Sequence, residues 1–182
     1  MQRTFCLLMT GLPCSGKTTL GKRLYESLVQ RGLNVELFDG DKVRESISRD
    51  LDFSRFSRIE NIIRVAKIAR DLMDKGSSCI ISMVAPYYEA RFKAREIVRT
   101  NFVEVFLDAP LEVCEKRDVK GMYKRARMGE IKNFTGIDDV YEVPLNPDIR
   151  IRTGVLDIDE SLKEIENFLI ENSFIVEAVF KN

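Results

Sequence analysis

The stretch that most constrains this chain is Gly11-Leu12-Pro13-Cys14-Ser15-Gly16-Lys17-Thr18. It matches G-x-x-x-x-G-K-[ST], the phosphate-binding P-loop pattern. The flanks fit the pattern. Phe5 to Met9 is an apolar run of strand length, and Leu20, Leu24 and Leu28 recur at helical spacing after Lys17. The glycines therefore fall on a strand-to-helix turn. Gly11 and Gly16 permit backbone angles that other residues resist, so amide N–H groups can approach a phosphate. The helix N-terminus adds partial positive charge at the same point. Lys17 is placed to reach the β- and γ-phosphates of a nucleoside triphosphate, and the Thr18 hydroxyl to ligate Mg²⁺. Gly11 through Thr18, with Thr19, form the expected nucleotide-binding loop.

Strand and helix patterns alternate along the rest of the chain, which predicts an α/β fold with a mainly parallel sheet flanked by helices. Strands are expected at Phe5–Thr10, Val35–Phe38, Ser78–Met83, Phe102–Leu107 and Ile149–Arg152, with a small one at Phe174–Phe180. Helices are expected at Lys17–Arg31, Lys42–Ser48, Arg58–Lys75, Glu89–Val98, Leu111–Arg117 and Ser161–Glu171. The segment of about 118–147 is least regular and carries Lys120, Lys124, Arg125, Arg127 and Lys132 among three glycines. A loop this long inside a domain suggests a basic lid over phosphates. The 182 residues suit one domain.

Lys plus Arg number 29 and Asp plus Glu 29, so no global charge favours nucleic acid. No apolar run reaches membrane-span length and the N-terminus shows no secretory pattern, so a cytoplasmic protein is expected. The chain has no histidine, which excludes histidine acid–base catalysis and ligation. The four cysteines lack metal-ligand spacing, and Cys6 and Cys79 sit in core-like runs.

A second chemical element is Asp39-Gly40-Asp41-x-x-Arg44, at the carboxyl end of the second strand, where ligands bind in open parallel sheets. Asp41 could ligate Mg²⁺ through water or take the proton of an attacking hydroxyl. Arg44, a turn later, could hold an anionic acceptor. An Asx turn capping the following helix explains the same residues without chemistry.

Longer stretches resemble the adenylylsulfate (APS) kinase family. They are Phe38–Asp41, Arg58-x-Glu60-Asn61-Ile62, Pro86-Tyr87, and Asp108 through Asp118. Lys120-Gly121-x-Tyr123-Lys124-x-Ala126-Arg127 and Gly129 through Asp138 complete the set. The resemblance runs from about Thr4 to Pro144 and implies a P-loop NTPase-type kinase. The implied reaction is ATP plus adenosine 5′-phosphosulfate to ADP plus 3′-phosphoadenosine 5′-phosphosulfate. The resemblance implies that Asp39, Arg44, Arg58 and Asn61 bind the acceptor nucleotide. It further implies that Phe53 and Phe134 sandwich the acceptor base, as aromatic faces stack on bases. Lys120 and Lys124 are implied to meet acceptor phosphate or sulfate from the lid, and Arg117 to lie against the ATP adenine. Lys17 and Asp41 are the expected catalytic pair, Thr18 and Asp41 the metal-facing one.

Four positions depart from the family pattern: Ser57, Ile63, Ala85 and Tyr88 stand where it usually has Asp, Arg, Ser and Arg. The serine replaced by Ala85 is the one associated with a phosphoserine intermediate. The departures bear on the acceptor, and cytidine diphosphoramidate is the alternative one. A nucleotide-dependent switch is a further alternative, but the Asn/Thr-Lys-x-Asp base-reading motif of GTPases is absent. The expected partners are a small-molecule nucleotide and, as an open option, a second copy of the chain.

Overall fold

The central strand is β1 (Cys6–Thr10), buried along its whole length. The structure is a computed structural model that describes residues 3–176. In chain order the remaining strands are β2 (Val35–Asp39), β3 (Ser78–Ser82), β4 (Phe102–Leu107) and β5 (Ile149–Ile151). They form one sheet in the order β2-β3-β1-β4-β5, with every pairing parallel. The α/β expectation holds. Parallel strands covered on both faces read as continuous apolar runs, as β1 and β3 do.

Alternate residues of β1 face two separate cores. Cys6 and Leu8 point toward α3 (Arg55–Asp74) and α4 (Tyr88–Val98), with Cys79 and Ile81 of β3. Leu7 and Met9, with Phe5 just before the strand, point toward α1 (Lys17–Gln30) and α7 (Ile158–Glu171), where Leu20, Leu24, Ile165 and Leu169 are buried. Neighbours diverge to either side of β1, so a crevice opens at its carboxyl end.

Several element boundaries differ from expectation. α3 begins at Arg55, because Ser54 caps it by accepting from Ser57 N. α7 begins at Ile158, behind a capping box in which Asp157 and Glu160 bond each other's backbone N–H. The short helix α2 is Gly40–Glu45 rather than Lys42–Ser48. After α5 (Leu111–Arg117) the basic segment contains a helix, α6 (Met122–Arg127), and a bridge between Thr135 and Asp139. Tyr123, Ala126 and Phe134 of this segment form a third cluster with Ala109 and Cys114. Phe174 packs on Phe5 at 5.4 Å between ring centroids, but Phe174–Val176 is not a strand, and the rest of that expected strand lies outside the described residues. Among the described residues no helix is long and apolar enough to cross a membrane.

Candidate active site

The P-loop closes over the carboxyl end of β1. A Cβ on Gly11 would lie 2.7 Å from the Leu107 carbonyl oxygen and 2.7 Å from Ser15 Oγ, so only glycine fits there. Gly16 starts α1 with φ 106°, a left-handed conformation that side chains resist. The buried Lys17 folds back on the loop. Its Nζ donates to the carbonyls of Leu12 (2.7 Å) and Gly11 (2.9 Å) and to Ser15 Oγ (3.3 Å). Burial lowers its pKa from 10.5 to about 8, against the raising effect of nearby cysteines and of Asp39 and Asp41.

Beside the loop, Thr18 Oγ1 donates to Asp39 Oδ2 at 2.7 Å. Asp39 is also the N-cap of α2, its Oδ1 accepting from Asp41 N at 3.2 Å. The capping role therefore belongs to Asp39, which leaves the exposed Asp41 carboxylate to pair with Lys120 of the basic segment. That pairing raises the Lys120 pKa.

A cavity of about 1050 Å³ runs from the P-loop past α2 to the basic segment. At one end Arg117 donates to the carbonyls of Cys14 (3.3 Å) and Thr153 (2.6 Å). At the other end Arg44 and Arg58 lie over the ring of Phe53, at 4.8 and 5.4 Å from its centroid. The Arg44 pKa is lowered, first by burial and then by the Arg58 charge, so two guanidiniums share one pocket wall. Arg58 also donates to the Phe53 (2.9 Å) and Asn133 (2.6 Å) carbonyls. Asn61 is buried with its Oδ1 unpartnered, and Phe134 packs edge-on against Tyr123.

The cavity thus gathers Pro13 to Thr19, Asp39, Asp41 and Arg44. It also gathers Phe53, Arg58, Asn61, Arg117, Lys120 and Phe134. Three expected residues are not among its lining. Gly11 and Leu12 lie behind it, where their carbonyls hold Lys17. Lys124 sits on α6, its backbone N–H donating to Asp118, while Lys132 takes a place on the wall. Sequence reasoning also passed over Thr153, Leu156 and Asp157, which line the cavity from the turn after β5 and carry no motif.

The adenylylsulphate kinase family profile matches residues 3–152. The chain belongs to the adenylylsulfate kinase family. It is 45% identical over 178 residues to the adenylyl-sulfate kinase of Microcystis aeruginosa, covering 98% of each chain. It is 48% identical over 161 residues to a probable adenylyl-sulfate kinase of Pseudomonas aeruginosa, covering 88% of this chain and 75% of the relative. The Mycobacterium tuberculosis APS kinase CysC, solved in complex with AMPPNP and APS, superposes with a TM-score of 0.89 at 38% identity, covering 93% of this chain and 99% of the other. Of the four departures from the adenylylsulfate kinase pattern, only Ala85 lines the cavity. Ser57 is buried at the α3 cap, Ile63 packs on the core, and Tyr88 stacks outward on Phe92.

Proposed function

We infer that the protein is an adenylylsulfate kinase: it transfers the γ-phosphoryl group of ATP to the 3′-hydroxyl of adenosine 5′-phosphosulfate. The observation that carries this reading is one cavity joining a P-loop to a second nucleotide-sized pocket with paired guanidiniums and an exposed aromatic ring. Three of the four departures that bear on the acceptor lie outside that cavity, which favours APS over cytidine diphosphoramidate.

In this reading Lys17 leaves its carbonyl partners for the β- and γ-phosphates, and the P-loop amides cradle the chain of phosphates. Arg117 lies against the adenine of ATP. Arg44, Arg58 and Asn61 hold the acceptor, and Phe53 with Phe134 flank its base. Lys120 and Lys132 neutralise charge from the lid side. Asp41 accepts the proton of the 3′-hydroxyl once Lys120 turns to the substrate.

The oxygen donors of Thr18, Asp39 and Asp41 suit a hard cation. Among the described residues no group of three or more His, Cys, Asp or Glu side chains is placed to hold a metal, and two carboxylates with one hydroxyl suit an Mg²⁺ that keeps phosphate and water among its ligands. When bound, Mg²⁺ supplies charge neutralisation at the transferring phosphoryl oxygens. Ala85 has no hydroxyl to carry a phosphoryl group, so this reading routes no intermediate through that position and takes transfer between the two substrates as direct.

The test is kcat/KM for APS against a panel of nucleotide 5′-anhydrides that includes cytidine diphosphoramidate, with ATP and Mg²⁺ saturating. APS is expected to be preferred at least about tenfold, the scale of one well-placed contact. Preference for a pyrimidine acceptor would overturn the reading.

A further inference from the structure

Arg91 is a charged side chain that the expected chemistry leaves unused, and it is 2% exposed. A buried guanidinium is costly unless its nitrogens find partners. Here each nitrogen meets a different part of the chain. Nε lies 2.9 Å from Glu104 Oε1 of β4, an ion pair whose angle falls short of a hydrogen bond. Nη1 donates to the Ala85 carbonyl at 2.8 Å, and Nη2 to the Glu142 carbonyl at 2.7 Å. Ala85 lines the cavity with φ 43°, a left-handed conformation that a non-glycine residue keeps only where its surroundings impose it.

A second set of bonds closes the same clamp. The Tyr141 hydroxyl lies 2.8 Å from Thr10 Oγ1, which in turn donates to the Val84 carbonyl at 2.7 Å. Glu142 N donates to the Pro86 carbonyl at 2.8 Å. Thr10 ends β1 immediately before the P-loop. The clamp therefore joins the P-loop's root, the 84–86 wall and the segment returning from the lid.

We propose that Arg91, with Tyr141, is a positioning residue for the acceptor nucleotide, fixing the Ala85–Pro86 wall against the lid's return arm. A guanidinium fork bridges two fixed carbonyls while its Nε side faces a carboxylate, which a lysine ammonium on a flexible stem does not reproduce. The inference rests on APS being the acceptor, so one of its two readouts is independent of any acceptor.

The experiment compares wild type, Arg91→Lys and Tyr141→Phe. Tyr141→Phe keeps the ring's stacking on Phe106 and removes only the hydroxyl. Hydrogen exchange of the ligand-free proteins is expected to quicken at residues 84–88 and 139–142 in both variants, with the P-loop amides unchanged. KM for APS is expected to rise at least about tenfold for Arg91→Lys and about threefold for Tyr141→Phe, while ATP affinity without acceptor stays within about twofold, the separation expected of an orientation effect. Unchanged exchange at both segments would overturn the clamp. Quickened exchange with unchanged KM for APS, or equal losses for ATP and APS, would overturn the positioning role. If Arg91→Lys does not fold, Tyr141→Phe alone decides by the same readouts. Wild type without APS turnover would overturn the acceptor assignment and this role with it.

Discussion

Lys17 carries the most specific residue-level consequence. Its ammonium is the form that binds phosphate, and burial brings its pKa in the free protein down to about 8. Bound phosphates stabilise the charged form, so the pKa rises on binding. ATP affinity is therefore flat below pH 8 and weakens above it, by up to about tenfold per pH unit, with proton uptake on binding. Calorimetry across this range in buffers of different ionisation enthalpy checks both effects; an affinity independent of pH well above 8 would contradict the placement of Lys17. Asp41 makes a second case. Asp41→Asn keeps the shape and removes the basicity, so kcat is expected to fall at least about a hundredfold, the scale of general-base loss, with ATP affinity nearly unchanged. Turnover above about a tenth of wild type would leave Asp41 only its pairing with Lys120. The two phenylalanines separate differently. Phe53 is 58% exposed, so Phe53→Ala is expected to weaken APS binding by about 1–3 kcal/mol without loss of thermal stability. Phe134 is buried against Tyr123, so Phe134→Ala is expected to lower both. Equal loss of ATP and APS binding in Phe53→Ala would remove the stacking role.

At the scale of elements, the basic segment is seated on the P-loop through Gly136. Its φ is 94°, and a Cβ there would lie 2.9 Å from Leu12 Cδ2 and 3.4 Å from Leu111 Cδ1. Gly136→Ala is expected to cost about 1–3 kcal/mol, the usual strain of a non-glycine residue in this region. Thermal melting reads the loss directly, and an unchanged midpoint would show that the segment does not depend on this seat. This segment also marks the limit of the sequence. The strand–P-loop–helix unit was legible because its apolar runs and helical stripe are strong and its loop has a fixed spacing. α6 was not, because it buries only Tyr123 and Ala126, too few positions for a periodic signal. The first turn of α3 buries no apolar residue, since Phe56 is exposed, and is announced only by the Ser54 cap, so the pattern placed its start at Arg58. Within the site, motifs named the residues but not which way they face. Ser57, Ile63 and Tyr88 looked like acceptor-site departures until the fold put them outside the cavity. The Arg91 contacts were invisible for a related reason: the chain separates Arg91 from Glu142 by 51 positions.

For the whole molecule, the strand order places the P-loop, the end of β2 and the 84–86 wall along one edge of the sheet. Two cores hold that edge from either face, and the third cluster seats the basic segment beside it. In the proposed reading both substrates occupy that one cavity, and Ala85 offers no nucleophile between them, so direct in-line transfer is the expected course. A single turnover with APS and ATP carrying an isotopically chiral γ-thiophosphate tests this most directly. The expected product is 3′-thiophosphorylated with inverted configuration at phosphorus; net retention, or a labelled phosphoenzyme trapped before APS is added, would contradict direct transfer.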